Sequence, residues 1–136
     1  MIEINSPIEK MFLKAGITSR YPIVVRLEGD RVVRFNEVPN DCLILLVEPQ
    51  KRVGAYRIDF AMEMVLKRSV RVGPALAIEC DGFEYHSSKE QMRRDKQRDR
   101  WLMANGYRVV RFAGTEIWSD PVGCFREALH ALEWQI

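Results

Sequence analysis

The sequence predicts an α/β fold, a mixed β-sheet flanked by helices. Apolar runs of strand length, bounded by Gly, Pro and Asp, fill the middle of the chain. A strand–helix–strand succession over 75–112 has the form of a βαβ crossover. Amphipathic helical patterns stand at both ends. The 136 residues, 47% of them hydrophobic, suit one domain over 1–136 with a core of its own.

In chain order, Ser6-Pro7-Ile8-Glu9 starts a helix, with Ser6 as cap, Pro7 in the first turn and Glu9 in the capping-box position. That helix runs to about Ala15, and Gly16 ends it. Ile23–Glu28 and Arg31–Phe35 flank Gly29-Asp30 as a hairpin. Cys42–Glu48 is a strand closed by Pro49 and Gly54; Tyr56–Leu66 is the next, and a charged turn from Lys67 to Pro74 leads into Ala75–Asp81. A helix from Ser88 to Asn105-Gly106 follows, with Gln91 in capping-box position. Tyr107–Phe112 is a strand. The last helix starts near Asp120-Pro121 and places Val122, Phe125, Leu129 and Leu132 on one face.

The totals exclude several classes of protein. A charged fraction of 29% argues against wholesale disorder, and a formal charge of +2 permits a nucleic-acid partner without requiring one. Cys42, Cys80 and Cys124 form no CxxC pair, so a structural zinc site is not expected, and the thiols read as core fillers of a reducing compartment. Glu3 and Glu9 interrupt the first stretch, and no apolar run can span a bilayer, so the expected location is cytoplasmic. Trp101 and Trp118 read as packing residues with a second use in base stacking; Met62, Met64 and Met92 read as core, and His130 as surface.

The chemistry gathers on two strands. If Tyr56–Leu66 pairs with Ala75–Asp81 about a midpoint at Ser69, Asp59 lies opposite Glu79 on one face. Asp81 joins them by the period of two. Ile58, Phe60, Met62, Leu76, Ile78 and Cys80 then make the core face, and a one-residue slip would expose them. Converging carboxylates repel unless a cation is shared, and hard Mg²⁺ prefers such oxygen ligands. The bland alternative is a row of solvent-facing acids salt-bridged to Arg57 or Lys67.

Glu79-Cys80-Asp81-Gly82, then His86, the run Asp95 to Leu102, and Gly106 to Phe112 resemble a family of small bacterial proteins related to the very-short-patch-repair (Vsr-like) endonucleases. That family lies within the PD-(D/E)XK nuclease superfamily. Its further blocks fall at Glu9 and Asp59-Phe60, so the resemblance covers roughly residues 6–112. The Glu, Asp, His, Asp order is also similar to the EDxHD arrangement of some homing nucleases. The resemblance implies a restriction-endonuclease-like fold and a metal-dependent endonuclease acting on nucleic acid, DNA foremost, with Mg²⁺ or Mn²⁺. Asp59 and Glu79, with the Cys80 carbonyl, would hold the metal, and Glu9 would be an outer or second-metal ligand. His86 would be the general base or acid, oriented by Asp95. Two positions depart from the superfamily pattern: Ile58 replaces its proline and Asp81 its lysine. His86, Lys89 or Arg98 is left to supply the lysine's function.

On the helix from Ser88, residues 95, 98, 99 and 102 share a face, with Leu102 toward the core and Asp95 and Arg98 toward the strand ends. A local ion network between Asp95 and its helical neighbours is the structural alternative. Six basic and three acidic residues lie between Lys89 and Arg100, and Arg93, Arg94 and Lys96 are the expected phosphate contacts. Two functions stay open: the endonuclease, or a catalytically silent nucleic-acid-binding or assembly module on the same fold.

Overall fold

The computed structural model describes residues 7–16, 21, 23–27, 31–34, 43–66, 70–81 and 88–133. Ser6, Phe35, Cys42, Lys67, Ser69, Gly82 and His86 lie outside them. In chain order the elements are α1 (Pro7–Gly16), β1 (Ile23–Leu27), β2 (Arg31–Arg34), β3 (Leu43–Val53), β4 (Tyr56–Leu66), β5 (Val70–Asp81), α2 (Lys89–Ala104), β6 (Tyr107–Ala113), α3 (Gly114–Ser119) and α4 (Pro121–Glu133).

The strands form one six-stranded sheet in the order β2-β1-β3-β4-β5-β6. β1 and β3 run parallel, as do β5 and β6 across the α2 crossover; the remaining pairs are antiparallel. The α/β expectation therefore holds, with a mixed sheet and helices on both faces.

Alternation along the strands sorts the core by face. Leu45, Val47, Phe60, Met62, Leu76 and Ile78 pack with α1, α3 and α4 residues in the main cluster. Phe12 sits at its hub, with ring centroids 5.4 Å from Phe60, 5.7 Å from Phe112 and 5.2 Å from Phe125. On the other face, Leu102 of α2 seals Ile58, Ala61 and Ala77. Gly16 belongs to α1 and is buried; a Cβ there would lie 2.6 Å from the Phe125 ring, so close packing of α1 on α4 calls for glycine.

Several boundaries differ from expectation. β3 does not close at Pro49 but continues to Val53, and β5 begins at Val70, so Gly73-Pro74 lies within a strand. Pairing runs Phe60↔Ile78 and Met62↔Leu76 near the carboxylates, then Met64↔Val72 after an irregularity. The bulge absorbs the extra residues, so the register anticipated for Asp59 and Glu79 holds while the hairpin end shifts. Leu27 pairs with Arg31, and the expected Gly29-Asp30 turn lies outside the described residues. The six-residue α3 is absent from the sequence expectation; Glu116 Oε1 accepts from the Ala113 amide at its start, 3.1 Å. Ser88 caps α2, accepting from the Gln91 amide at 3.1 Å, while the Gln91 side chain turns to Asp95; Asp120, at the expected start of the last helix, accepts from the Gly123 amide at 2.9 Å.

Ile58 is a correction: it packs with the α2-side cluster, not with Phe60. The change of face falls beside an irregularity on β3, where Gln50 has φ of 52° and the ladder skips from Pro49↔Phe60 to Lys51↔Ile58. Exposure corrects two more expectations: Trp118 (62% exposed) and Met92 (46%) are not packed in the core. Trp101 is a packing residue in part, its ring edge-on to Tyr56 at 5.3 Å and against Gly54. Gly54 has φ of 60° in the β3–β4 turn, and a Cβ there would stand 2.5 Å from the Trp101 ring.

Candidate functional site

Four elements meet where the carboxylates lie. α1 presents Glu9, only 4% exposed; β4 presents Asp59; β5 presents Glu79, 6% exposed, and Asp81; α2 lays its inner face across them. The burial pattern of α2 divides it cleanly. Gln91, Asp95, Arg98, Asp99 and Leu102 are half-buried or buried, whereas Lys89, Met92, Arg93, Lys96 and Arg100 face solvent.

The acids are linked into a chain. Gln50 Nε2 donates to Glu9 Oε1 at 2.7 Å and to Asp59 Oδ1 at 3.4 Å. Asp59 Oδ2 accepts from the Cys80 amide at 2.8 Å, which anchors β4 to β5 at this end. Glu79 receives a short charge-assisted hydrogen bond from Arg98, which also donates to the Arg57 carbonyl at 2.6 Å. Asp81 lies 3.6 Å from Arg111, whose guanidinium grips Asp99 in two bonds of 2.8 and 3.2 Å.

The electrostatics follow from burial. Loss of water and then the Asp59 charge push the Glu79 carboxyl up to about 8, against the pull of Arg98. Burial, ahead of the surrounding acids, raises the Cys80 thiol and keeps it protonated, so its carbonyl and not its sulfur is the group a hard cation would meet. Burial also raises Asp81; Arg111 opposes this and the Asp95 charge adds to it. Burial works against the Arg111 charge, yet its bonds to Asp99 hold the guanidinium above its ordinary value.

The structure brings Glu9, Asp59, Glu79, Cys80, Asp81 and Arg98 to one end of the sheet. Asp95 stands near enough to act on Asp81 electrostatically and accepts from Gln91 Nε2 at 2.9 Å. The expected Asp95–His86 pair lies outside the described residues. An Asp95–Arg98 bond does not form: Arg98 turns to the more deeply buried Glu79, whose desolvation makes it the stronger claimant. Lys89 points outward, away from the carboxylates. Gln50 is the site residue that sequence reasoning missed. Its one visible signal was a polar residue after Pro49, and only its φ of 52° gives it away.

Among the described residues, no three His, Cys, Asp or Glu side chains close around one point tightly enough to hold an ion as they stand. The donor chemistry nevertheless fits a hard divalent cation: carboxylate oxygens of Asp59, Glu79 and Glu9 and a backbone carbonyl, with no soft ligand among them.

The outer face of α2 borders an open groove of about 300 Å³ lined by Lys89, Met92, Arg93, Lys96 and Arg100. Arg93 donates to both oxygens of Glu90, at 2.8 and 3.0 Å, and Arg94 Nε lies 3.3 Å from the same carboxylate. Among the described residues no ion pair holds Lys89, Lys96 or Arg100.

A mixed sheet with helices on both faces and a knot of buried acids at one end defines a nuclease-like α/β domain. The profile of the family described as REase_MTES_1575 matches residues 44–132, more than half of the chain, and the chain belongs to this restriction-endonuclease-like family. No curated protein and no solved structure matches it. Among the described residues, no helix is long and apolar enough to cross a membrane.

Proposed function

We propose that this chain is a metal-dependent, Vsr-like endonuclease that hydrolyses phosphodiester bonds of nucleic acid, DNA foremost, with Mg²⁺ or Mn²⁺. One observation carries the proposal: Glu9 and Asp59, tied by Gln50, and Glu79, bonded to Arg98, come together in a poorly solvated place. Burying mutually repelling acids is unfavourable unless a cation joins them. Asp59, Glu79 and the Cys80 carbonyl would hold the ion, with Glu9 in the outer or second-metal position. Such an ion, when bound, supplies an activated water and offsets charge growing on the phosphate.

The chain's own residues divide the remaining work. Arg98 and Arg111 provide the positive charge that the superfamily lysine provides elsewhere, because Asp81 occupies that position and is itself partnered by Arg111. His86 would hold or pass the proton, with Asp95 orienting its ring. Lys89, Lys96 and Arg100 extend the expected basic surface of Arg93, Arg94 and Lys96 and are the better phosphate contacts, since Glu90 already engages the two arginines.

A catalytically silent nucleic-acid-binding module is the second reading, favoured by Asp81 in the lysine position. Incubation of the protein with supercoiled plasmid, single-stranded DNA and RNA, with Mg²⁺, Mn²⁺ or chelator, separates the two. Metal-dependent nicking by the wild type, lost in Asp59→Asn and Glu79→Gln while DNA binding persists, is the expected result. Binding without cleavage in every condition would establish the silent module.

A further inference from the structure

We infer that Gln50 is a positioning residue that ties the α1 carboxylate Glu9 to the sheet carboxylate Asp59, making one site from two separate elements. The inference deepens the proposed metal site and rests on it only where metal affinity is concerned.

The backbone shows that residue 50 is built for this contact. Gln50 is the one non-glycine residue with positive φ among the described residues, a conformation that L side chains adopt reluctantly. It falls within β3, where the ladder skips the Gln50–Asp59 pair. Glycine would relieve the backbone, so the strain is tolerated for something that the side chain does.

That side chain has two N–H donors on one nitrogen. One meets Glu9 at 2.7 Å and the other Asp59 at 3.4 Å. A neutral amide suits the place. A lysine there would cancel one carboxylate charge and compete with a divalent cation. An apolar residue would remove the one amide that bonds to both the buried Glu9 and the half-buried Asp59. The amide holds both acids in position and brings no charge of its own to compete with a metal. Glu9 is carried by a helix and Asp59 by a strand, so the bridge fixes the separation of acids that belong to different elements.

The test uses Gln50→Met, which keeps the bulk without donors, and Gln50→Gly, which keeps the backbone at ease without the bridge. In chelator, a double-mutant cycle of Gln50→Met with Glu9→Met, a side chain with no oxygen to accept the bond, is read by thermal melting. Non-additive effects are expected, because each change removes the same hydrogen bond. Calorimetric titration with Mn²⁺ then compares the wild type with both Gln50 variants, and an affinity loss of tenfold or more is expected in each. Gln50→Gly guards against a folding defect, since it should melt no lower than Gln50→Met. Additive melting effects, or Mn²⁺ affinity in both variants equal to the wild type, would overturn the inference. Coupling in the cycle with no Mn²⁺ binding by the wild type would remove the metal proposal and leave the tie between Glu9 and Asp59 standing.

Discussion

Replacing Glu79 by Gln tests the electrostatics of the site directly. Its carboxyl is raised from 4.5 to about 8, first by burial and then by Asp59. The folded protein therefore holds a proton that the unfolded chain releases throughout that interval. Stability contributed by this group is complete below pH 4.5 and is lost as pH rises through about 8. The slope is about 1.4 kcal/mol per pH unit, so the whole interval removes on the order of 5 kcal/mol. Arg98 is already counted, as it opposes the rise. Urea denaturation in chelator at closely spaced pH values, wild type against Glu79→Gln, isolates the effect because other titrating groups are common to both. The variant should lose this downward slope and surpass the wild type at high pH. Added Mg²⁺ should recover wild-type stability most at high pH, where the ionised carboxylate binds it. Parallel curves for the two proteins would show that Glu79 titrates normally and that the argument from burial is wrong.

Arg98→Met should cost about 3–5 kcal/mol at pH 9, where it strands a buried carboxylate, and much less at pH 5, where Glu79 keeps its proton; melts at the two pH values decide this. Neutralising Lys89, Lys96 and Arg100 together should make the slope of log K against log salt shallower by about 3, at roughly 0.9 per phosphate contact. The Arg93, Arg94 pair should change it less, and equal effects would discount the Glu90 contacts. His86→Ala should lower the cleavage rate by about a hundredfold or more while metal and DNA binding persist, with Asp95→Asn losing less; near-normal cleavage in single-turnover assays would remove the histidine from the mechanism.

What was legible in the sequence was set by burial, and what was hidden was set by tertiary geometry. The Asp59–Glu79 register could be read because a slip would expose Phe60, Met62, Leu76 and Ile78 together. The bulge beyond Met62 carries no such signal, since unpaired residues near a hairpin end forfeit little. α3 was hidden because six residues ending in an exposed Trp118 show no helical face. Gln50 escaped notice because left-handed conformations are expected at Gly or Asn. The Arg98–Glu79 pair was not legible because helical spacing offers Asp95 as the local alternative, whereas the less hydrated Glu79 gains more from a counter-ion.

The distribution of charge across α2 explains how one helix can serve both sides of the proposed reaction. Its inner face, the strands beneath and the neighbouring α1 hold Asp95 and Asp99, then Asp59, Glu79 and Asp81, then Glu9, and Arg98 and Arg111 are the only cations bonded to these acids among the described residues. A phosphate approaching that end meets a net negative field and is repelled until a divalent ion offsets it. The outer face is the reverse, with Lys89, Lys96 and Arg100 outside any ion pair among the described residues and Met92 exposed between them. A nucleic-acid strand would therefore be attracted to the outside of α2 whether or not metal is present, and admitted to the carboxylates only with it. Binding and hydrolysis would then depend differently on conditions: salt governs the first through the outer cations, and divalent metal together with pH governs the second through Glu79.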